Sequence, residues 1–161
     1  MPHADHIDIA PPTLPRDLPA LRAIFAEYMD SLDIDLSYQN AAAELAGLPG
    51  KYAPPQGAVL LARDAGHRLL GCVALRPLAQ AGACEIKRLY VRPAARGSAL
   101  GRRLAQALIG HAREAGYTAI FLDTLPAMLA ARALYAALGF YEVAPYYDSP
   151  IAGTIFMRCD L

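Results

Sequence analysis

The chain has 161 residues, of which 55% are hydrophobic and 19% charged. This length fits one domain, residues 1–161, and the apolar content is enough for a core, which excludes a disordered chain. Fifteen basic and fifteen acidic side chains cancel. We therefore expect neither nucleic acid nor a membrane as partner, since the first needs a broad basic face and the second an apolar run of about 20 residues.

The cysteines and histidines give no sign of a metal or disulfide site. Three cysteines form no paired motif, and the four histidines do not occur at metal-ligand spacings. The N-terminal residues do not resemble a signal peptide, which has a basic start followed by an apolar run. We therefore expect a cytoplasmic protein without a metal.

Hydrophobic periodicity and turn residues predict alternating strands and helices along the chain. In chain order, the predicted elements are strand 6–10, a helix opening at 15–17, helix 39–46, strands 58–62, 69–75 and 84–91, a helix ending at Gly116, strand 118–122, a helix starting near Pro126, and strands 140–143 and 154–157. This order predicts the α+β class (an α/β mixed sheet), with helices on both faces of the sheet.

A loop of small residues between strand 84–91 and the next helix is the first candidate binding site. Gly97 and Gly101 lie in it, and Arg96, Arg102 and Arg103 surround it. Such a loop directs backbone N–H groups outward at the positive end of a helix, so a phosphate group can approach closely. It matches neither the GxGxxG fingerprint nor a P-loop, and a plain turn with solvated arginines would have the same composition.

Two sequence blocks resemble the GNAT-type N-acetyltransferase family. Residues 85–102, which read EIKRLYVRPAARGSALGR, resemble the coenzyme A-binding segment, where Arg/Gln-x-x-Gly-x-Gly/Ala follows a strand ending Val-x-Pro. Residues 131–140, ARALYAALGF, are similar to the family pattern A-x-x-L-Y-x-x-x-G-F. The resemblance covers about residues 69–143, with the expected spacing between the blocks.

The resemblance implies a GNAT-like fold, a mostly antiparallel twisted sheet of about six to seven strands with about four helices, and acetyl-CoA as co-substrate. The backbone of Leu89, Tyr90 and Val91 would pair with the pantetheine arm. Backbone amides of the loop would hold the pyrophosphate. The implied loop residues are Arg96, Gly97, Ser98, Ala99, Leu100, Gly101 and Arg102.

Two positions depart from the family pattern. Ala99 stands where the family usually has its central glycine, and a positive φ there would cost alanine about 1 kcal/mol. Met128 stands where many members have an asparagine that contacts cofactor or substrate.

Acetyl transfer from a thioester to an amine requires a base, because an alkyl ammonium group has a pKa near that of lysine, about 10.4. The departing thiolate also requires a proton. The resemblance implies Tyr135 as the acid, Glu85 as the first candidate base and Asp123 as the second. From the residues alone, Tyr135 would be a core aromatic, and Glu85 would form a cross-strand ion pair with Arg76.

Cys72 and Cys84 lie in apolar strands without a neighbouring histidine, which argues against a thiolate acyl carrier and favours direct attack in a ternary complex. The rival hypothesis is a catalytically silent module that binds or senses acyl-CoA.

The acceptor in this family lies between the N-terminal helices and the last hairpin. Tyr146 and Tyr147 would cover that cleft, and Arg76 and Lys87 are candidates to hold a substrate carboxylate. The N-terminal region adds Tyr28, Asp30, Asp33 and Asp35 as further candidates. We expect a small-molecule or peptide amine as partner and allow for a homodimer through the closing strands.

Overall fold

The structure is a computed structural model, and residues 6–32 and 40–161 are described. Its strands are β1 (Asp8–Ala10), β2 (Ala58–Arg63), β3 (Leu69–Pro77), β4 (Ala83–Val91), β5 (Ala119–Thr124), β6 (Tyr141–Val143) and β7 (Ile155–Asp160). Its helices are α1 (Leu18–Ser31), α2 (Ala41–Ala46), α3 (Leu100–Glu114) and α4 (Leu129–Ala137). The expected helix start at Gln39 and the candidates Asp33 and Asp35 lie outside the described residues.

All seven strands form one sheet in the order β1-β2-β3-β4-β5-β7-β6. Every neighbouring pair is antiparallel except β4 with β5. The α+β fold with a mostly antiparallel mixed sheet is therefore confirmed. β1 is shorter than expected, and β5 and β7 extend further, to Thr124 and Asp160. No described helix has both the length and the apolar character needed to cross a bilayer.

Each face of the sheet packs against helices, as the element order predicted. On β2, Leu60 and Ala62 belong to a core that includes buried residues of α3, whereas Val59 and Leu61 belong to a core with buried residues of α1. The alternation follows from the period of two along a strand. Side chains that point to the α1 face therefore share a surface with each other and are separated from α3.

A β-bulge interrupts β4 next to this surface. The Cα partners pass from Lys87–Ala74 to Tyr90–Cys72, so β4 carries one extra residue there, and Arg88 takes a φ of 61°. A bulge bends its strand and ends regular alternation. Lys87 and Tyr90 consequently both point to the α1 face, although three positions separate them.

Buried Arg88 anchors helix α2 to the bulge. Its Nε lies 2.9 Å from Glu44 Oε2, and a terminal nitrogen lies 3.1 Å from Glu44 Oε1. The Tyr52 hydroxyl donates to the same Oε1 at 2.7 Å. Two parallel N–H bonds from a guanidinium fix orientation as well as distance. The segment from α2 to Tyr52 is thereby held against the sheet.

Strands β4 and β5 separate shortly after they begin to pair. Their parallel ladder joins Ala83–Glu85 to Ala119–Phe121 and ends there, although β4 continues to Val91 and β5 to Thr124. Beyond Glu85, the edge of β4 that faces β5 has no strand partner in the described chain. The centre of the sheet therefore opens between these two strands.

Candidate active site

Glu85 lies where β4 and β5 separate, on the α1 face. It is the Cα partner of Arg76, whose Nε and one terminal nitrogen both lie 2.7 Å from Oε1. The Tyr146 hydroxyl donates to Oε2. The Glu85 side chain is 1% exposed and that of Arg76 29%. The cross-strand ion pair expected from the hairpin is therefore present, and both oxygens of Glu85 accept hydrogen bonds.

Asp123, near the end of β5, stands in a similar but looser group. The Tyr147 hydroxyl donates to Oδ2, whereas Lys87 Nζ stays 3.9 Å from Oδ1, beyond hydrogen-bond distance. Asp123 Oδ1 has no hydrogen-bond partner among the described residues, and the side chain is 13% exposed. Burial lowers the pKa of Lys87, and the nearby Asp123 carboxylate only partly opposes this.

Tyr146 and Tyr147 cover the two carboxylates from the connection between β6 and β7. Their rings pack edge-on against Phe156, with centroids 5.2 and 5.1 Å away. Within the same connection, Ser149 Oγ and Thr154 Oγ1 lie 2.9 Å apart. Burial and the Glu85 charge raise the pKa of Tyr146, so its phenol keeps its proton. The four residues proposed for the acceptor side (Arg76, Lys87, Tyr146 and Tyr147) thus surround both candidate bases.

Tyr135 is buried on α4, and its ring packs edge-on against Phe140 at 5.6 Å. Burial raises its pKa, and Tyr28 and the Asp123 carboxylate add to the rise. The Tyr135 hydroxyl has no hydrogen-bond partner in the described parts of the chain, although the ring belongs to the core. Its role as an acid remains a prediction.

The loop before α3 has the backbone geometry of an anion site. Gly97 and Ala99 take φ values of 88° and 58°. Helix α3 has no side-chain cap, and its first backbone bond runs from the Arg103 amide to the Ala99 carbonyl. The amides of residues 100–102 therefore lack an acceptor within the described residues, as at any uncapped helix start. These amides, with the helix dipole, favour an anion here.

Contacts of Gly101 place this loop against β4 and against helix α4, which carries the candidate acid. A Cβ at Gly101 would lie 3.7 Å from Val91, the last residue of β4, and 3.8 Å from Leu134, the neighbour of Tyr135. Two of the arginines expected around the loop contact protein backbone. Arg96 donates to the Val91 carbonyl at 3.1 Å, and Arg103 donates to the Ile7 carbonyl at 3.2 Å.

Ala99→Gly should raise the free energy of unfolding by about 1 kcal/mol, because the left-handed conformation strains alanine and not glycine. Urea denaturation measures the change. The matched control is Ala94→Gly, in the short 3₁₀ turn before the loop, where φ is not positive. That substitution should lower the free energy of unfolding, since there glycine only adds backbone entropy. An equal or opposite response of the two variants would contradict strain at Ala99.

The sequence did not identify the Glu44–Arg88 pair or the Tyr52 hydroxyl bound to it. The one available signal was the pair of adjacent charged residues Lys87 and Arg88 in the middle of β4, because strict alternation sends such neighbours to opposite faces of the sheet. Met128, at the asparagine position, directly precedes α4, and its sulfur lies 3.8 Å from the Thr124 hydroxyl. The described residues contain no group of three or more His, Cys, Asp or Glu side chains placed to hold a metal.

Comparison with known proteins agrees with this architecture. The model of the acetyltransferase (GNAT) family matches residues 18–140. An uncharacterized N-acetyltransferase of Schizosaccharomyces pombe is 42% identical over 156 residues, which cover 97% of this chain and 96% of that protein. A GCN5-related N-acetyltransferase from Kribbella flavida superimposes with a TM-score of 0.70 at 25% identity, covering 96% of this chain and 98% of that one. A GNAT-family acetyltransferase from Staphylococcus aureus gives a TM-score of 0.78 at 19% identity, covering 96% and 98%. The chain belongs to the GNAT family of acetyltransferases.

Proposed function

We propose that this protein transfers an acetyl group from acetyl-CoA to a primary amine of a small molecule or peptide, by direct attack in a ternary complex. One observation carries the proposal. The opening between β4 and β5 has the loop of residues 96–102 and Tyr135 on its α3 face, and the carboxylates of Glu85 and Asp123 on its α1 face. The described residues thus offer a place for an anionic cofactor next to groups that can take up and supply protons.

The residues present fit acetyl-CoA. The edge of β4 that has no strand partner would present the backbone of residues 89–91 to a pantetheine arm, and the amides of residues 97–102 would hold the pyrophosphate. When bound, acetyl-CoA supplies a thioester whose acetyl group is open to attack by an amine. Burial raises the pKa of the Cys84 thiol to about 12, and it raises that of Cys72 as well. Neither cysteine is a thiolate near pH 7, which supports direct attack.

Asp123 is the better of the two candidates to take the proton of the acceptor ammonium group. Its Oδ1 accepts no hydrogen bond from the described residues, and its side chain reaches solvent. Glu85 is enclosed, and each of its oxygens is already engaged by Arg76 or Tyr146. Protonating Glu85 would disrupt a buried ion pair, which is costly. We therefore assign proton transfer to Asp123 and assign to Glu85 the positioning of Arg76 and Tyr146.

Tyr135 would hold the proton that the departing sulfur requires. Its raised pKa keeps the phenol protonated at neutral and moderately alkaline pH. A hydroxyl that gives no hydrogen bond to the described protein groups can give one to a ligand without losing a native contact.

Release of free thiol from acetyl-CoA, with and without a panel of amines, tests the proposal. Acetyl-CoA should raise the melting temperature of the protein, because a ligand that binds only the folded state stabilises it. Thiol release should then depend on an added amine. A raised melting temperature without thiol release from any amine would indicate the silent acyl-CoA-binding module instead. An unchanged melting temperature at millimolar acetyl-CoA would contradict both functions.

A further inference from the structure

We infer that the acceptor amine carries a carboxylate, and that Lys51 and Arg76 bind this carboxylate in a cavity beside the active site. The inference rests on the proposed function and specifies its substrate class. The cavity has a volume of about 320 Å³ and lies between the α2–Tyr52 segment and β3. Its lining includes Asn40, Glu44, Lys51, Tyr52 and Arg76.

The charges that line the cavity favour an anion. Glu44 is the carboxylate among its described lining residues, and its oxygens are occupied by Arg88 and the Tyr52 hydroxyl. Lys51 is exposed and forms no ion pair with any described residue. The groups left for a ligand are therefore cations and the Asn40 amide, and they attract a negative group more than a positive one.

Arg76 connects this cavity to Glu85, one of the two candidate bases. Its Nε and one terminal nitrogen contact Glu85 Oε1, and the other terminal nitrogen has no acceptor among the described residues. A guanidinium has donors on more than one edge, so it can keep Glu85 while it binds a second carboxylate. Arg76 would thus fix the acid end of a substrate at the margin of the active site.

The spacing of the side chains selects a small acceptor. Glu85 is the Cα partner of Phe121, and Asp123 lies two positions further along β5 on the same face. Arg76 is separated from Asp123 by two steps between strands, about 10 Å, and by two positions along β5, about 7 Å, so their Cα atoms lie about 12 Å apart. An amino acid whose carboxylate rests on Arg76 can bring its amine towards Asp123 when several bonds separate the amine from that carboxylate. Lys87 is not the second carboxylate ligand in this arrangement, because it is buried opposite Asp123. Lys51 is the second ligand of the carboxylate.

Kinetics on matched acceptors test the inference. Each amino acid is compared with the amine that its decarboxylation yields, using thiol release from acetyl-CoA. The charge reversal Lys51→Glu should raise KM for the amino acid about tenfold and leave KM for its decarboxylated counterpart unchanged, since one charge-assisted hydrogen bond is lost and a repulsion gained. KM for acetyl-CoA should stay constant. Lys51→Arg should behave like the parent protein, and so should Arg113→Glu, an exposed charge reversal at the far end of α3.

The outcomes separate the inference from the function on which it rests. Turnover of decarboxylated amines only, or an equal effect of Lys51→Glu on both acceptor types, would overturn the carboxylate site and leave acetyl transfer intact. No thiol release with any acceptor would overturn the proposed function and the inference with it. Lys51 is on the surface, so an unchanged melting temperature will show that each variant is folded.

Discussion

Asp123→Asn should lower kcat at pH 7 by about a hundredfold or more, the usual contribution of a general base. Asparagine keeps the size of the side chain and can still accept a hydrogen bond from Tyr147, but it cannot take a proton from the acceptor ammonium group. The deficit should shrink as the pH rises towards the amine pKa, about 10.4, because solvent then deprotonates the amine without help. Steady-state rates from pH 6 to about pH 10 measure this convergence.

Glu85→Gln is the matched comparison. It likewise replaces a carboxylate by an amide, in the group that Glu85 forms with Arg76 and Tyr146. We expect its main effect on stability. Arg76 would lose its charged partner, which should lower the free energy of unfolding by about 2 kcal/mol, less than for a fully buried pair because Arg76 is 29% exposed. The kcat of the Glu85→Gln variant should not fall more at low pH than at high pH. If instead Glu85→Gln gives the pH-dependent deficit and Asp123→Asn does not, the two roles are exchanged.

The strands, their order of appearance and one register could be predicted from the sequence. The turn at residues 80–83 fixes the hairpin, and a hairpin of that length sets Arg76 opposite Glu85, as the structure has it. The strained position could also be predicted, because Ala99 replaces a family glycine and indeed takes a positive φ. Local chain geometry determines both features, so local sequence contains the necessary information.

Contacts that depend on the bulge could not be predicted. Strict alternation would place Lys87 and Leu89 on one face, but the extra residue at Arg88 puts Lys87 with Tyr90 instead. No periodicity identifies a single inserted residue. The hydrogen bonds of Tyr146 and Tyr147 to the two carboxylates depend in turn on how an irregular connection folds back over the sheet. That path is determined by tertiary packing on Phe156.

The sequence therefore identifies both carboxylates as candidate bases but does not separate their roles. The resemblance implied both Glu85 and Asp123 as bases, and from the residues alone either could instead pair with an arginine. What separates them is how completely each is enclosed: 1% exposure and a 2.7 Å ion pair for Glu85, against 13% exposure and a 3.9 Å separation for Asp123. Such differences arise only once distant elements pack together.

Tyr135→Phe should lower kcat about a hundredfold and leave stability almost unchanged. The catalytic loss is expected because a thiol has a pKa near 8.5, so the departing sulfur benefits from a proton donor at pH 7. The free energy of unfolding should stay almost unchanged because the hydroxyl has no hydrogen-bond partner among the described residues, while phenylalanine keeps the ring packing on Phe140. Single-turnover rates and urea denaturation measure the two effects separately.

The pH profile of the parent protein provides an independent check on the same residue. Burial raises the pKa of Tyr135, so its phenol should stay protonated up to and beyond about pH 10, and no alkaline fall in kcat should arise from it. Tyr141→Phe is the matched control: this tyrosine is exposed on β6 and binds Asp160, away from the opening in the sheet. It should retain full kcat. A Tyr135→Phe variant that is as active as the Tyr141→Phe variant would show that Tyr135 serves only the core.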